Sequence, residues 1–173
     1  PALRTLLEWA RALGFTGVLI GNLGHLPLVR GLDFHLYGDY GLNVFNSRSL
    51  AYLKDKELES ACVSFELRFA QIRDLKKVLR AEAIVYGRLP LMITENCLVQ
   101  NETGCRLDRQ GPCVPEDGPC RCGQPNVLVD RTGAAFPLLP AYGHRTEIQN
   151  SKPLYLADRP EHRRLGLALS LIH

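Results

Sequence analysis

Long apolar runs are absent from the sequence. No stretch approaches the roughly 18 apolar residues that a membrane-spanning helix needs, so no contact with a membrane is expected. A strong charge imbalance is missing too, because 21 basic and 18 acidic side chains leave a net charge of +3, which does not by itself indicate nucleic-acid binding. A secretory signal pattern is also lacking, and the sequence therefore predicts a cytoplasmic protein.

The sequence also lacks two signatures of hydrolases. It contains no Gly-x-Ser-x-Gly nucleophile elbow and no His-Glu-x-x-His metalloprotease helix. Ser64 and Glu66 have no histidine motif beside them, and no spacing rule brings His25 and His35 to them. The residues alone therefore give no convincing proteolytic set.

What is present is an ordinary globular composition. The 173 residues are 46% hydrophobic and 23% charged, which is enough for a real core and excludes a disordered chain. Short apolar strands alternate with amphipathic helices through residue 86, a pattern typical of an α/β fold with a parallel sheet. The predicted helices are 1–14, 48–56 and 69–79, and the predicted strands are 17–20, 33–37, 60–65, 83–86, 127–129 and 136–139.

Polar residues follow four of these strands. Because ligands bind at the carboxyl ends of parallel strands, these residues are candidates for a site: Asn22, Asp39, Asn43, Ser64, Glu66, Tyr86 and Arg88. Glu66 is suited to acid/base work and Arg88 to holding an anion. The alternative is that Glu66 caps the next helix and Arg88 pairs with a surface carboxylate.

Cysteines are concentrated between residues 97 and 125, where five of the six occur. The segment is too poor in aliphatic residues for its own core and needs a covalent or metal link. In a reducing compartment thiolate ligation is favoured over disulfides, although the spacings fit no standard motif. His144 and Cys113 are candidate additional ligands, whereas Cys62, alone in an apolar strand, is predicted to be core.

Several motifs resemble the peptidase U32 family, which is described as collagenase-like. They occur in the family's order over residues 14 to 158, and they are Gly21-Asn22-Leu23-Gly24, Gly38 to Asn46, Ser64-Phe65-Glu66-Leu67, Tyr86 to Met92, Cys97, Cys105, Asp130-Arg131, Phe136-Pro137 and Asn150 to Leu154. Each motif is weak alone, but their order makes the resemblance strong.

The resemblance implies the second half of a TIM-like barrel. It divides the chain into the last β/α units (1–92), a cysteine-rich cluster-binding segment with short strands (93–158) and a truncated C-terminal segment (159–173). It further implies that the N-terminal half of the barrel is a missing partner, so that this piece alone should aggregate or dimerise. Leu165 to His173 is accordingly expected to be an interrupted tail.

The resemblance also implies a function. Relatives include iron–sulfur proteins that support hydroxylation of tRNA or ribosomal RNA with a prephenate-type cosubstrate. Carried over, Cys97 and Cys105 match the first pair of ligands of a 4Fe–4S cluster, and Cys120 or Cys122 matches the third. His144, Cys113 or the other member of the Cys120/Cys122 pair completes the set, and zinc is the alternative metal, with Cys97, Cys105, Cys122 and His144 as its ligands.

Three functions remain open from the sequence. The first is cluster-dependent RNA hydroxylation with Glu66, Arg88 and Asn43 as the catalytic residues. The second is a collagenase-like peptidase acting on a peptide substrate. The third is a non-catalytic, zinc-stapled RNA-binding module, although the segment from Cys97 to Arg131 carries slightly more acidic than basic residues, which does not favour binding to phosphates.

Overall fold

The structure, a computed structural model, describes residues 2–103, 121, 124–156 and 158–172. The chain forms two compact units, one from residues up to Val85 together with Leu156–Ile172, and one from Tyr86–Tyr155. Both contain strands and helices. The predicted α/β class is therefore confirmed.

The elements follow in chain order. They are α1 (Ala2–Ala12), β1 (Gly17–Ile20), α2 (Leu26–Val29), β2 (His35–Gly38), α3 (Ser47–Asp55), β3 (Leu58–Cys62), α4 (Phe69–Asp74), β4 (Arg80–Gly87), β5 (Pro90–Thr94), α5 (Leu98–Thr103), β6 (Asn126–Val129), β7 (Ala135–Ala141), β8 (Arg145–Gln149), β9 (Leu154–Tyr155) and β10 (Leu169–Ile172), with short 3-10 helices at Leu23–His25, Tyr40–Leu42 and Pro160–Arg164.

Strands β1 to β4 form a parallel sheet in chain order, as their apolar sequences predict. The first pair runs from Gly17 opposite His35 to Ile20 opposite Gly38. Beyond β3, Val63 makes one further parallel bridge with Val44. The carboxyl ends of β1, β2 and β3 therefore meet at one edge of the sheet.

The core of the first unit lies between one face of this sheet and the helices. Ala61 and Val63 from the β3 segment pack in one cluster with Leu50 and Leu53 of α3 and Ile72 of α4, all almost fully buried. Burying each large side chain contributes about 1.5–3 kcal/mol. The apolar residues recur at helical spacing, and their burial therefore holds the helices against the strands that carry the candidate site.

Helix α3 is close to its predicted range and is capped by Asn46. Asn46 Oδ1 accepts the hydrogen bond from the Ser49 backbone N–H at 2.9 Å. Ser47 Oγ accepts from the Lys76 backbone N–H at 2.8 Å. Its hydroxyl therefore links α3 to the segment after α4.

Helix α4 ends at Asp74, five residues before its predicted end at Leu79. Leu75 already has extended backbone angles, and Leu79 is nevertheless buried in the core. Lys77 folds back and donates from Nζ to the Ile72 carbonyl at 2.6 Å, satisfying a carbonyl at the end of the helix. The predicted end of α4 was wrong because the spacing of apolar residues indicates which residues are buried, and residues in a loop can also be buried.

The second unit is built on an antiparallel sheet in the order β5-β8-β7-β6. A tight turn follows β6, in which Gly133 donates its backbone N–H to the Asp130 carbonyl and Asp130 accepts three further hydrogen bonds on Oδ1. Strands β5 and β8 were not predicted. Helix α5 follows β5 and begins directly after Cys97.

The C-terminal segment belongs to the first unit. Leu165 is 4% exposed and lies in the same core cluster as Ala81 and Ala83 of β4. Ala168 donates its backbone N–H to the Ala81 carbonyl at 2.7 Å, and β10 is a neighbour of β4 in the sheet. Within the described residues, no helix is long and apolar enough to cross a membrane.

Candidate functional site at the strand ends and the cysteine segment

The turns that follow β1 and β2 are in very close contact. A Cβ atom added to Gly41 would lie 2.7 Å from the carbonyl oxygen of Gly21, which no side chain tolerates. Asp39 donates its backbone N–H to the Ile20 carbonyl and accepts on Oδ1 from the Tyr40 N–H at 2.8 Å. Glycine at position 41 is therefore needed for this approach of backbone to backbone.

Asn43 and Glu66 occur on neighbouring strand ends of the same edge. Asn43 has a left-handed backbone (φ 51°) after the 3-10 turn at Tyr40–Leu42, a conformation that asparagine adopts more readily than most residues. Two residues before Glu66, Ser64 donates its backbone N–H to the Val44 carbonyl, which ties the two segments together. Both Asn43 and Glu66 are exposed, so both side chains are accessible to a substrate.

Glu66 does not cap the following helix. Helix α4 begins at Phe69, and the side chain of Gln71 accepts the Arg68 backbone N–H at 2.9 Å in its first turn. The backbone N–H of Glu66 itself donates to Ser64 Oγ at 3.4 Å. The structural role considered for Glu66 is therefore filled by Gln71, and the carboxylate of Glu66 remains a candidate for chemistry.

The sheet face opposite the helices contains buried polar side chains, which the sequence analysis missed. Ser60, Cys62 and Glu82 alternate with the core residues of β3 and β4, and all three are buried. Ser60 Oγ has no hydrogen-bond partner within the part of the chain that the structure describes. A glutamate inside the apolar sequence of β4 was the available signal for this face.

Cys62 is held as a neutral thiol on this face. Burial, together with the negative charges of Asp39 and Glu82, raises its pKa to about 12. A thiolate is the form that attacks carbonyls and binds metals. The structure thus supports the prediction that Cys62 is a core residue without a chemical role.

Arg88 is in the second unit, just after β4. Its Nη1 donates to the carbonyls of Asn150 and Ser151, at 2.8 and 2.5 Å. These bonds orient the guanidinium. They also join Arg88 to the Asn150 to Leu154 motif, so two of the family motifs are adjacent in space.

Cys97 and His144 lie at the same end of the antiparallel sheet. Cys97 is 6% exposed and is a free thiol. Leu98, the next residue, donates its backbone N–H to Thr146 Oγ1 at 3.0 Å, and Thr146 pairs with Thr94 of β5. His144 is two residues before Thr146, with a left-handed backbone (φ 60°) in the β7–β8 turn.

The other candidate ligands, Cys105, Cys113, Cys120 and Cys122, lie outside the described residues. Among the residues that the structure describes, no group of three or more His, Cys, Asp or Glu side chains could hold a metal ion. A buried, unpaired thiol such as Cys97 does have the soft sulfur that zinc and iron–sulfur clusters prefer. The donor chemistry of Cys97 therefore fits either group.

The histidines considered for a peptidase are separated. His35 opens β2 and pairs through Nδ1 with Glu59 at the start of β3, at the amino-terminal edge of the sheet. Ser64 follows the carboxyl end of β3, and its Oγ accepts from the Glu66 N–H. His25 follows β1 and is half-buried. His35 is thus at the wrong edge to activate Ser64.

These features define an α/β protein with candidate functional loops at the carboxyl ends of parallel strands, followed along the chain by a cysteine-bearing segment and an antiparallel sheet. A family model described as peptidase family U32 matches residues 1–124 of the 173. The chain therefore belongs to peptidase family U32. No curated protein and no solved structure matches it.

Proposed function

We propose that this chain is part of an iron–sulfur enzyme that supports hydroxylation of RNA, either tRNA or ribosomal RNA, with a prephenate-type cosubstrate. The observation that carries the proposal is the buried free thiol of Cys97, at the start of a helix whose first N–H is held by Thr146. It opens a cysteine-rich segment in a chain whose remaining described thiol, Cys62, is kept protonated.

Cys97, Cys105 and Cys120 or Cys122 would hold the 4Fe–4S cluster, with His144, Cys113 or the second member of that cysteine pair completing the set. When bound, the cluster supplies one-electron redox chemistry. His144 lies at the same end of the sheet as Cys97, which supports it as the additional ligand. Zinc is the alternative metal for the same thiolates.

The protein's own residues would handle substrate and protons. The exposed carboxylate of Glu66 would accept a proton, and the side chain of Asn43 on the neighbouring strand end would hydrogen-bond the substrate. Arg88, oriented by the Asn150 and Ser151 carbonyls, would attract a carboxylate or a phosphate.

The barrel is part of the same proposal. Four parallel strands in chain order, with helices packed on one face and buried polar groups on the other, are the arrangement expected of consecutive units of a TIM-like barrel. In such a barrel the second face points inward. Ser60 and Glu82 would then line its interior.

Peptide hydrolysis is the second candidate because the family is named for it. Against it, the thiol of Cys62 has a pKa raised to about 12, and His35 pairs with Glu59 at the opposite edge from Ser64. Neither the Cys62 thiol nor a pair of Ser64 with His35 is therefore suited to act as the nucleophile. Hydroxylation uses more of the positioned groups.

Metal analysis after anaerobic purification tests the proposal. We expect about four irons per chain and absorbance near 400 nm, both lost in Cys97→Ala and retained in the matched control Cys62→Ala. Glu66→Gln should keep the iron but abolish the added oxygen in RNA analysed by mass spectrometry. One zinc per chain without iron would indicate the zinc-stapled module. Cleavage of a peptide by the unmodified chain, lost in Glu66→Gln, would indicate a peptidase.

A further inference from the structure

We propose that a cavity between the strand-end turns and helix α3 binds a small carboxylic acid that carries an aromatic or branched apolar group. The cavity has a volume of about 350 Å³ and lies entirely in the first unit. This volume is within the range of small-molecule sites. None of the lining residues has a role in the proposed hydroxylation, so this site is tested separately from that proposal.

The position of the cavity is that of a ligand site in a parallel α/β sheet. Leu23 comes from the turn after β1 and Leu42 from the turn after β2, while α3 and its cap provide the remaining wall. Ligands of parallel sheets bind outside the carboxyl ends of the strands, where these turns lie. The close approach of Gly41 to Gly21 fixes the two turns against each other.

The walls are apolar and open to solvent. Leu23 and Leu42 face the cavity together with Tyr52 and Leu53 of α3. Leu23 and Tyr52 are 46% and 47% exposed, although both are large apolar side chains. A ligand with an aromatic ring or a branched alkyl group would remove this surface from water, which favours binding.

One charged group lines the cavity. Arg48, in the first turn of α3, is exposed, and within the described residues its guanidinium makes no hydrogen bond or ion pair. No carboxylate is among the lining residues. An unopposed guanidinium beside an apolar wall selects an anion, and its planar pair of donors matches a carboxylate.

The remaining polar groups add donors rather than acceptors. Asn46 Oδ1 already accepts from the Ser49 N–H at 2.9 Å and from Ser49 Oγ at 3.3 Å. The amide NH₂ of Asn46 is therefore the part of its side chain that can meet a ligand. The first turn of α3 contains no acidic residue, and its partial positive charge acts in the same direction as Arg48.

Calorimetric titration of the full chain with defined probes tests separately the carboxylate head group of the ligand and its apolar body. We expect saturable binding of 3-phenylpropanoate, and binding at least about tenfold weaker for its neutral amide and for acetate, which lack the charge and the apolar body respectively. Tighter binding of phenyl phosphate than of the carboxylate would overturn the assignment of the head group. Equal binding of acid and amide would overturn the role of charge.

Variants locate the site. Arg48→Gln and Leu23→Asp should each weaken 3-phenylpropanoate by about tenfold or more, the first by removing the cation and the second by placing a negative charge in the wall. Lys54→Gln is the matched control, because Lys54 is an exposed cation on the same helix outside the cavity and should change binding less than about twofold. Both Arg48 and Leu23 are exposed, so circular dichroism should show all three folded. Unchanged binding in Arg48→Gln or Leu23→Asp would overturn the proposal.

Discussion

At the scale of single residues, the chain uses the same side chain for two different purposes. Cys62 is enclosed in the sheet near Asp39 and Glu82, whose charges add to burial in keeping the thiol protonated. Cys97 is also buried but precedes a helix in a cysteine-rich segment. The apolar neighbours of Cys62 made its core role predictable, whereas the nearby carboxylates could not be foreseen because they come from other strands.

The reactivity of Cys62 provides the first prediction. In the folded chain Cys62 should resist iodoacetamide at pH 8, because its pKa is raised to about 12 and the thiolate is the reactive form. Mass spectrometry of the tryptic peptide should show alkylation only after denaturation. Modification of Cys62 in the folded and unfolded chains at similar rates would contradict the assignment.

The same shift predicts a dependence of stability on pH. The pKa of Cys62 rises from its ordinary 9.0 to about 12 on folding, so the unfolded chain loses its proton first. Above pH 9 the free energy of unfolding should therefore fall as pH rises, by at most about 1.4 kcal/mol per pH unit from this group. Urea denaturation at pH 8 to 10.5 measures the slope. Cys62→Ala should have a shallower slope, and an identical slope would contradict the prediction.

At the scale of elements, an apolar pattern in the sequence indicated which residues are buried more reliably than where a helix or strand ends. Strand β1 has its predicted bounds, Gly17 to Ile20, because this short apolar run pairs with β2, although only Ile20 is buried and Leu19 is 57% exposed. Helix α4 was predicted too long because Leu75 and Leu79 pack in the core from a loop. Strand β5 was not predicted because it begins with a proline and lies at the edge of its sheet, where polar and apolar residues need not alternate along the strand.

The strand-end turns provide a prediction with a close control. Gly41→Ala should destabilise the fold by about 1–3 kcal/mol, because its Cβ would lie 2.7 Å from the Gly21 carbonyl oxygen and the backbone must move. Gly21→Ala should cost less, since the nearest atom to its Cβ is Asp39 Oδ2 at 3.8 Å. Chemical denaturation compares the two. Equal losses would show that the turns are not in the contact described.

The β6–β7 hairpin provides a prediction for the second unit. Asp130→Ala should lower the thermal midpoint more than Asp130→Asn, because Asn keeps an oxygen for the N–H groups of Thr132 and Ala134. The hydrogen bond from the Thr132 hydroxyl, together with those from the N–H groups, holds the pKa of Asp130 below its ordinary value, so the contribution of the charge is present at neutral pH and lost as pH falls through the lowered pKa. A midpoint in Asp130→Asn as low as that in Asp130→Ala would contradict this.

At the scale of the whole molecule, the chain closes its first unit with residues from its far end. The segment from Leu165 onward was expected to be an interrupted tail, because it is apolar and has no local partner in sequence. In the structure Leu165 fills the core beside β4, and β10 extends the sheet next to it. A contact between positions 81 and 168 carries no local signal, and for that reason the sequence alone could not reveal it.

This closure can be tested by a substitution and a truncation. Leu165→Ala should lower the free energy of unfolding by about 2–5 kcal/mol, because it leaves a cavity beside Ala81 and Ala83. Leu167→Ala is the milder control, since Leu167 is only partly buried against the same cluster. Removing residues 165–173 should in addition uncover the hydrogen-bonding edge of β4 and cause aggregation, measured by light scattering. A truncated chain that stays monomeric and unfolds at the same urea concentration as the full chain would show that the C-terminal segment does not complete the sheet.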